Sequence, residues 1–364
     1  SSSPENKEAI SQLDNYAKEG FVYVSCGARS RAKNGDTIID GKAEGKAPAP
    51  IVDLKAGIMT LRANEEQLPG DTDRIISVGG SGAGEMSSLV GATGNMDEYY
   101  SYLYEIGAPG VTKNADGTFS SKYADDVYGC MAYYPIADLE NADIAYAWMR
   151  SGSGETSVTK GGGGTSGTVE FTEFQLALQQ DEAQAFCGYI DSLNLTVDGK
   201  KLTFDKKEDG TWNTRSGSYY DAVLDNMTSA LKQYLAEMSY KDAKAYAEKL
   251  LATNTEECTW IVKDGQGGYT VTDLDGFIKN AGSKGDAATI GTLFARNKDI
   301  PGFDTLDKSA ENNAFGTADE TAVHYSASVA SVLKANYKKY EALKGFEEQK
   351  SNVDAYISEA LEED

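Results

Sequence analysis

The chain has 364 residues, of which 40% are hydrophobic and 25% charged, which suits a globular protein long enough for more than one core. Its formal net charge of -23 excludes the basic surface that nucleic acid or an anionic membrane would need. No apolar run is long enough to span a bilayer. The four cysteines (Cys26, Cys130, Cys187, Cys258) lack the spacing of a zinc site or a dense disulfide framework, though an even number permits disulfides.

In chain order, residues 1–134 read as alternating strands and helices. Phe21 to Val24 is a short β-rich run ending at Cys26-Gly27. Pro48 to Ala63 has helical periodicity, with Ile51, Leu54, Ile58 and Leu61 on one face. A strand over Arg74–Val78 is closed by Gly79-Gly80, and a helix restarts over Gly84–Leu89. Another helix, rich in tyrosine, covers Asp97–Ile106, and a buried-type strand over Val127–Tyr133 is stopped by Pro135. This order predicts a parallel sheet covered on both faces.

After Pro135 the rhythm changes. Ser151–Gly167 reads as a Gly/Ser/Thr loop. Helices are predicted near 172–192, 218–238 and 240–252. Hairpins are signalled by Asp198-Gly199 and by Gly265–Gly268. Helices joined by hairpins, without βαβ order, predict a separate α+β unit inserted into the first. Ala322–Asp364 reads as largely helical, with an acidic end.

The chemistry concentrates in Arg74 to Leu89, where a strand turns through small residues straight into a helix. That is the setting of a serine nucleophile elbow. It predicts Ser81 at a strained strand-to-helix turn, with Gly79 and Ala83 at the two positions too crowded for a large side chain. The Gly82 N–H, at the helix N-terminus, could donate to an oxyanion. Glycines that only permit close packing, or that cradle a phosphate, are the competing readings. The dinucleotide fingerprint lacks its third glycine, and no Lys-Ser/Thr follows for a P-loop.

Several strings, in order, resemble bacterial tannases and their feruloyl-esterase-like relatives. They are KAPAPIVDLKAGIMTLRAN (46–64), LPGDTDRIISVGGSGAGEMSSLVGATGN (68–95), DDVYGCMAYYPIADLENADIAYAW (125–148), VTDLDGF (271–277), KDIPGFDTLDKSAENNAFG (298–316) and VHYS (323–326). The resemblance covers roughly residues 10–330. It departs at Ala83, where the family's elbow has a second glycine, and at Tyr134, where the family has Cys. It implies an α/β-hydrolase core with a large inserted α+β cap. The expected boundaries are 1–134 for an incomplete core, 135–350 for the cap and 351–364 for the start of the return to the core.

The same resemblance implies acyl transfer by a Ser-His-Asp triad on phenolic-acid esters, gallate first, with feruloyl or other aryl esters as the alternative. An inactive, acidic binding protein of the same fold is the rival class. Ser81 matches the nucleophile, while Lys298 and Glu311 match cap residues that contact galloyl hydroxyls. The triad Asp and His are expected beyond residue 364, the chain being clipped at both ends and inactive by itself. His324, the only histidine, is expected to be a cap residue. No metal or organic cofactor is implied, and the expected partner is a small aryl ester. A bacterial, extracellular or cell-surface setting is favoured over the cytoplasm. Asp273-Leu274-Asp275-Gly276 lacks the later ligands of a calcium loop and reads as a turn. Tyr99 and Tyr102, at helical spacing, read as core-facing contacts.

Overall fold

This computed structural model of the chain describes residues 16–29, 38–39, 42–43, 45–135, 138–152, 154, 156–160, 167–256, 258–281 and 326–361. Described residues up to Leu139 form one compact unit, and those from Glu140 onward form a second.

In the first unit, helix α1 (Ala49–Ala63) buries two stripes rather than the single face its periodicity suggests. Ile51 and Ile58 pack with Val90, while Val52 and Met59 pack with Leu103 and Ala108. Strand β1 (Ile76–Gly80) runs into α2 (Gly82–Ala92). A 3-10 turn at Asp97–Tyr99 leads into α3 (Tyr100–Glu105). Strands β2 (Val111–Lys113) and β3 (Phe119–Ser121) then form an antiparallel hairpin. Its turn is fixed by Asp116, whose Oδ1 accepts from the Thr118 N–H and hydroxyl. Strand β4 (Gly129–Tyr133) returns parallel to β1, with Ile76 opposite Gly129 and Gly80 opposite Tyr133.

Three expectations are corrected here. The β1–β4 pair has one exposed face: Ile76, Val78, Met131 and Tyr133 are all exposed, so among the described residues the pair is not covered on both sides. A short apolar run reads the same whether one or both of its faces are covered. Phe21–Val24 is exposed and joins no ladder among the described residues, because a strand is made by its partner and not by propensity alone. Tyr102 is exposed while Tyr99 packs on the core, since three residues of helix carry a side chain only part of the way round a face.

The second unit packs helices α4 (Ala142–Arg150), α5 (Glu173–Ser192), α6 (Ser218–Ala236), α7 (Tyr240–Leu251), α8 (Ala327–Tyr340) and α9 (Lys350–Leu361). Helix α5 opens on a reciprocal cap, the Gln175 N–H donating to Thr172 Oγ1 and the Thr172 N–H to Gln175 Oε1. Both expected hairpins form, Thr196–Val197 with Lys200–Lys201 and Ile261–Lys263 with Tyr269–Val271. In the first, Asp198 and Gly199 both take the positive φ that such a two-residue turn demands. The expected loop after Ser151 contains an antiparallel ladder, Ser157–Lys160 with Gly167–Glu170. The core is aromatic: Trp148, Phe186, Phe204 and Tyr219 interlock, as do Phe174, Tyr340 and Phe346. Asp273 caps the short turn that follows, and Asp275 forms a bidentate pair with Arg215. No cluster of His, Cys, Asp or Glu among the described residues could hold a metal ion, and no described helix is long and apolar enough to cross a membrane.

Candidate active site

Ser81 is the one residue between β1 and α2. Its backbone sits at φ 57, ψ -125, a region L-residues other than glycine seldom occupy and which stores strain where it occurs. The turn is held from three directions. The Ser81 N–H donates to the Tyr133 carbonyl at 3.0 Å, and the Ser81 carbonyl accepts from the Glu85 N–H at 2.9 Å, starting the helix. Deeper along the same contact, the Ser77 and Ser87 hydroxyls meet at 2.8 Å, and Ser87 Oγ also donates to the Ser77 carbonyl at 3.0 Å. The Ser81 side chain is half-buried.

Glycine supplies the close approach. A Cβ on Gly79 would stand 2.0 Å from the Ala83 oxygen, and one on Gly84 would stand 2.6 Å from the Tyr133 oxygen. The second crowded position is therefore Gly84, not Ala83, which is exposed. Two residues after the serine the chain already points outward; three residues after it, α2 presses on the end of β4. This explains how Ala83 is accommodated where the family pattern has glycine. Gly82 is exposed, with open space around it. As the first residue of α2 its N–H has no acceptor within the helix, so it is presented outward beside Ser81.

The far end of α2 is anchored by charge. Lys55 Nζ donates to the Thr93 carbonyl at 2.6 Å and to Asp125 Oδ1 at 2.8 Å, and both side chains are fully buried. A cation at a helix C-terminus also meets the negative end of the helix dipole. Asp125 Oδ1 accepts from the Asn95 N–H as well, while Asn95 Oδ1 accepts from the Asp125 N–H. Asp53 takes three donors from Arg29, tying residues 26–29 to α1. Within the 46–64 stretch, Asp53 and Lys55 thus serve architecture: the Asp holds a loop, and the Lys holds the elbow helix. Near this loop, burial and then the Asp53 charge push the Cys26 thiol up, so it does not offer a ready thiolate.

Lys298, Glu311 and His324 lie outside the described residues, which contain no other histidine. The feature missed from sequence is Tyr134, the exposed residue just past β4, at φ 39. Pro135 after it hinted at a stop but gave no sign of that backbone.

The BD-FAE family model matches residues 3–159. No curated protein matches the chain. A tannase from Fusobacterium nucleatum is similar in structure, with TM-score 0.62 and 28% identity, over 90% of this chain and 62% of that one. So is the tannin acyl hydrolase of Lactobacillus plantarum, with TM-score 0.66 and 29% identity, over 91% of this chain and 60% of that one. A tannin acyl hydrolase in complex with ethyl gallate gives TM-score 0.66 and 29% identity, over 91% of this chain and 61% of that one. The chain thus spans about three fifths of the length of the tannases it matches. The likeness runs through nine tenths of this chain's length, so the chain is similar to tannases throughout and to the BD-FAE family over residues 3–159.

Proposed function

We propose that the protein is a serine carboxylic-ester hydrolase for phenolic-acid esters, galloyl (tannin-type) esters first, working through an acyl-enzyme on Ser81. The observation that carries this reading is the left-handed backbone of Ser81 at the junction of β1 and α2, the strand-to-helix turn on which a nucleophile elbow presents its serine. Ser81 Oγ attacks the ester carbonyl carbon while its proton passes to a general base. The carbonyl oxygen becomes an oxyanion that accepts from the Gly82 N–H. Collapse expels the alcohol, which takes up the proton, and leaves the acyl group on Ser81; water then repeats the sequence and releases the acid. No base is assigned among the described residues.

In this reading residues 135–350 form a cap inserted into the hydrolase core. Lys298 and Glu311 would read vicinal phenols there, an ammonium and a carboxylate matching acceptor and donor, since polar partners for a substrate's hydroxyls discriminate strongly against analogues lacking them. The residues flanking them and the ethyl gallate in a related structure support gallate. The BD-FAE match keeps feruloyl and other aryl esters as the alternative.

A fluorophosphonate probe tests the assignment on the full protein. Peptide mapping is expected to find the label on Ser81 and none on Ser81→Ala, whose turnover of methyl gallate should fall by on the order of 10⁴–10⁶. Wild-type protein that binds methyl gallate yet resists the probe would be a binding relative, not a hydrolase.

A further inference from the structure

We infer that Tyr134 sets substrate preference at Ser81, its ring and that of Tyr133 forming an aromatic ledge against which the ring of an aryl ester stacks. This rests on the ester-hydrolase reading of Ser81 and adds to it a residue that the elbow pattern does not contain. Because the Tyr133 carbonyl accepts from the Ser81 N–H at 3.0 Å, Tyr134 is the first residue beyond the strand end that touches the elbow. Its φ of 39 is an outlier for a bulky side chain, and doubly so before Pro135, since a residue preceding proline is driven toward extended backbone. Glycine or asparagine would hold that conformation at less cost.

The strain aims the side chain. Tyr134 Cε2, hydroxyl oxygen and Cζ pass 3.4, 3.6 and 3.7 Å from the place a Cβ on Gly80 would occupy. The ring therefore folds back over the residue before Ser81 instead of trailing into solvent. It is nonetheless 64% exposed, and its hydroxyl makes no hydrogen bond among the described residues. The Tyr133 ring, also exposed, lies beside it with centroids 6.5 Å apart. Two exposed rings at the strand end, one bent over Gly80 against its own backbone preference, lie within two residues of the elbow backbone and contribute little to packing. They offer a flat, apolar surface with a phenol at its edge, which suits an aromatic group bearing hydroxyls. An aliphatic chain would gain far less from it.

The test compares kcat/KM for methyl gallate and methyl butyrate in the full protein carrying Tyr134→Ala, Tyr134→Asn or Tyr134→Phe. Alanine is expected to lower the aryl-to-alkyl ratio about five- to tenfold, mainly through KM for the aryl ester. Fluorophosphonate labelling of Ser81 should stay within about twofold of wild type, the elbow itself being intact. Asparagine, which tolerates the left-handed backbone, should give the same loss if the alanine chain does not fold. Phenylalanine should keep the ratio. A ratio unmoved by alanine or asparagine, with labelling intact, overturns the assignment. A ratio lost in phenylalanine overturns stacking in favour of the hydroxyl. A wild-type protein that never labels overturns the hydrolase reading beneath it.

Discussion

Around Ser81 the first unit is held together largely by backbone and polar ties, whereas around Trp148 the second is held by rings. The elbow relies on glycines that let α2 touch β1 and β4, on two serines facing each other, and on a buried Lys–Asp pair. Its buried apolar clusters are small and separate. The second unit instead has one continuous core running from Ile144 to Tyr356. A core of large side chains yields gradually when trimmed, each lost group costing its own transfer and cavity terms. A site built on backbone contact has no such tolerance, because nothing can relax when a methyl group is placed inside a peptide.

The largest effect should therefore come from the smallest change. Gly79→Ala puts a methyl group on the Ala83 peptide and should cost more than about 4 kcal/mol, a loss reserved for overpacking and backbone strain. Labelling of Ser81 should vanish with it. Gly82→Ala, three residues on and with open space around it, should leave stability within about 1 kcal/mol of wild type. Chemical melts of the two variants would sharpen the contrast, and equal losses would break it.

Next comes the anchor of the elbow helix. Lys55→Met strands the Asp125 carboxylate in the interior, where Oδ2 already has no hydrogen-bond partner among the described residues. Breaking such a pair from one side costs about 3–5 kcal/mol, while replacing both charges by apolar groups is often tolerated. The double variant Lys55→Met/Asp125→Leu should recover much of the loss in urea melts. If it loses as much as the single variant, the Thr93 carbonyl contact, and not the ion pair, holds α2 in place.

What could be read in advance follows the same division. Ser81, the strand before it and the helix after it are local, and so is the Asp198-Gly199 hairpin, where two residues dictate their own turn. The Asp116-Gly117 hairpin carried a comparable signal that went unread. Gly84 was illegible because its constraint is the Tyr133 carbonyl, which lies on a strand some fifty positions away and reaches it only after folding. The exposed β1–β4 face and the unpaired Phe21–Val24 run are equally matters of partnership, which a propensity does not record. Tyr134 hid for a different reason, since its conformation contradicts the preference of its own type and of the proline after it. The roles proposed for Lys298 and Glu311 rest on resemblance, both lying outside the described residues.

The smallest effect expected is in the ring-packed unit, where one charge is out of place. Glu182, on α5, is fully buried with no partner for Oε2 among the described residues. Burial first, then the charges of Asp143 on α4 and Asp181 on α5, raises its pKa well above the usual carboxylate value. The groups that feel it from α8 and α9 are the phenols of Tyr340 and Tyr356, both pushed up chiefly by burial. An acid whose folded pKa is raised contributes stability that is fully present below its unfolded value, near 4.5, and lost as pH climbs through the folded value. The native protein should therefore weaken from mildly acid toward neutral pH, with a slope of at most about 1.4 kcal/mol per pH unit from this group. Glu182→Gln keeps the shape and removes the proton, so it should match wild type near pH 4 and exceed it by on the order of 1 kcal/mol at pH 7. Thermal melts across that range would decide it. Parallel curves for the two proteins would mean that the core accommodates the ionised carboxylate, and that the aromatic unit is less dry around Glu182 than its packing implies.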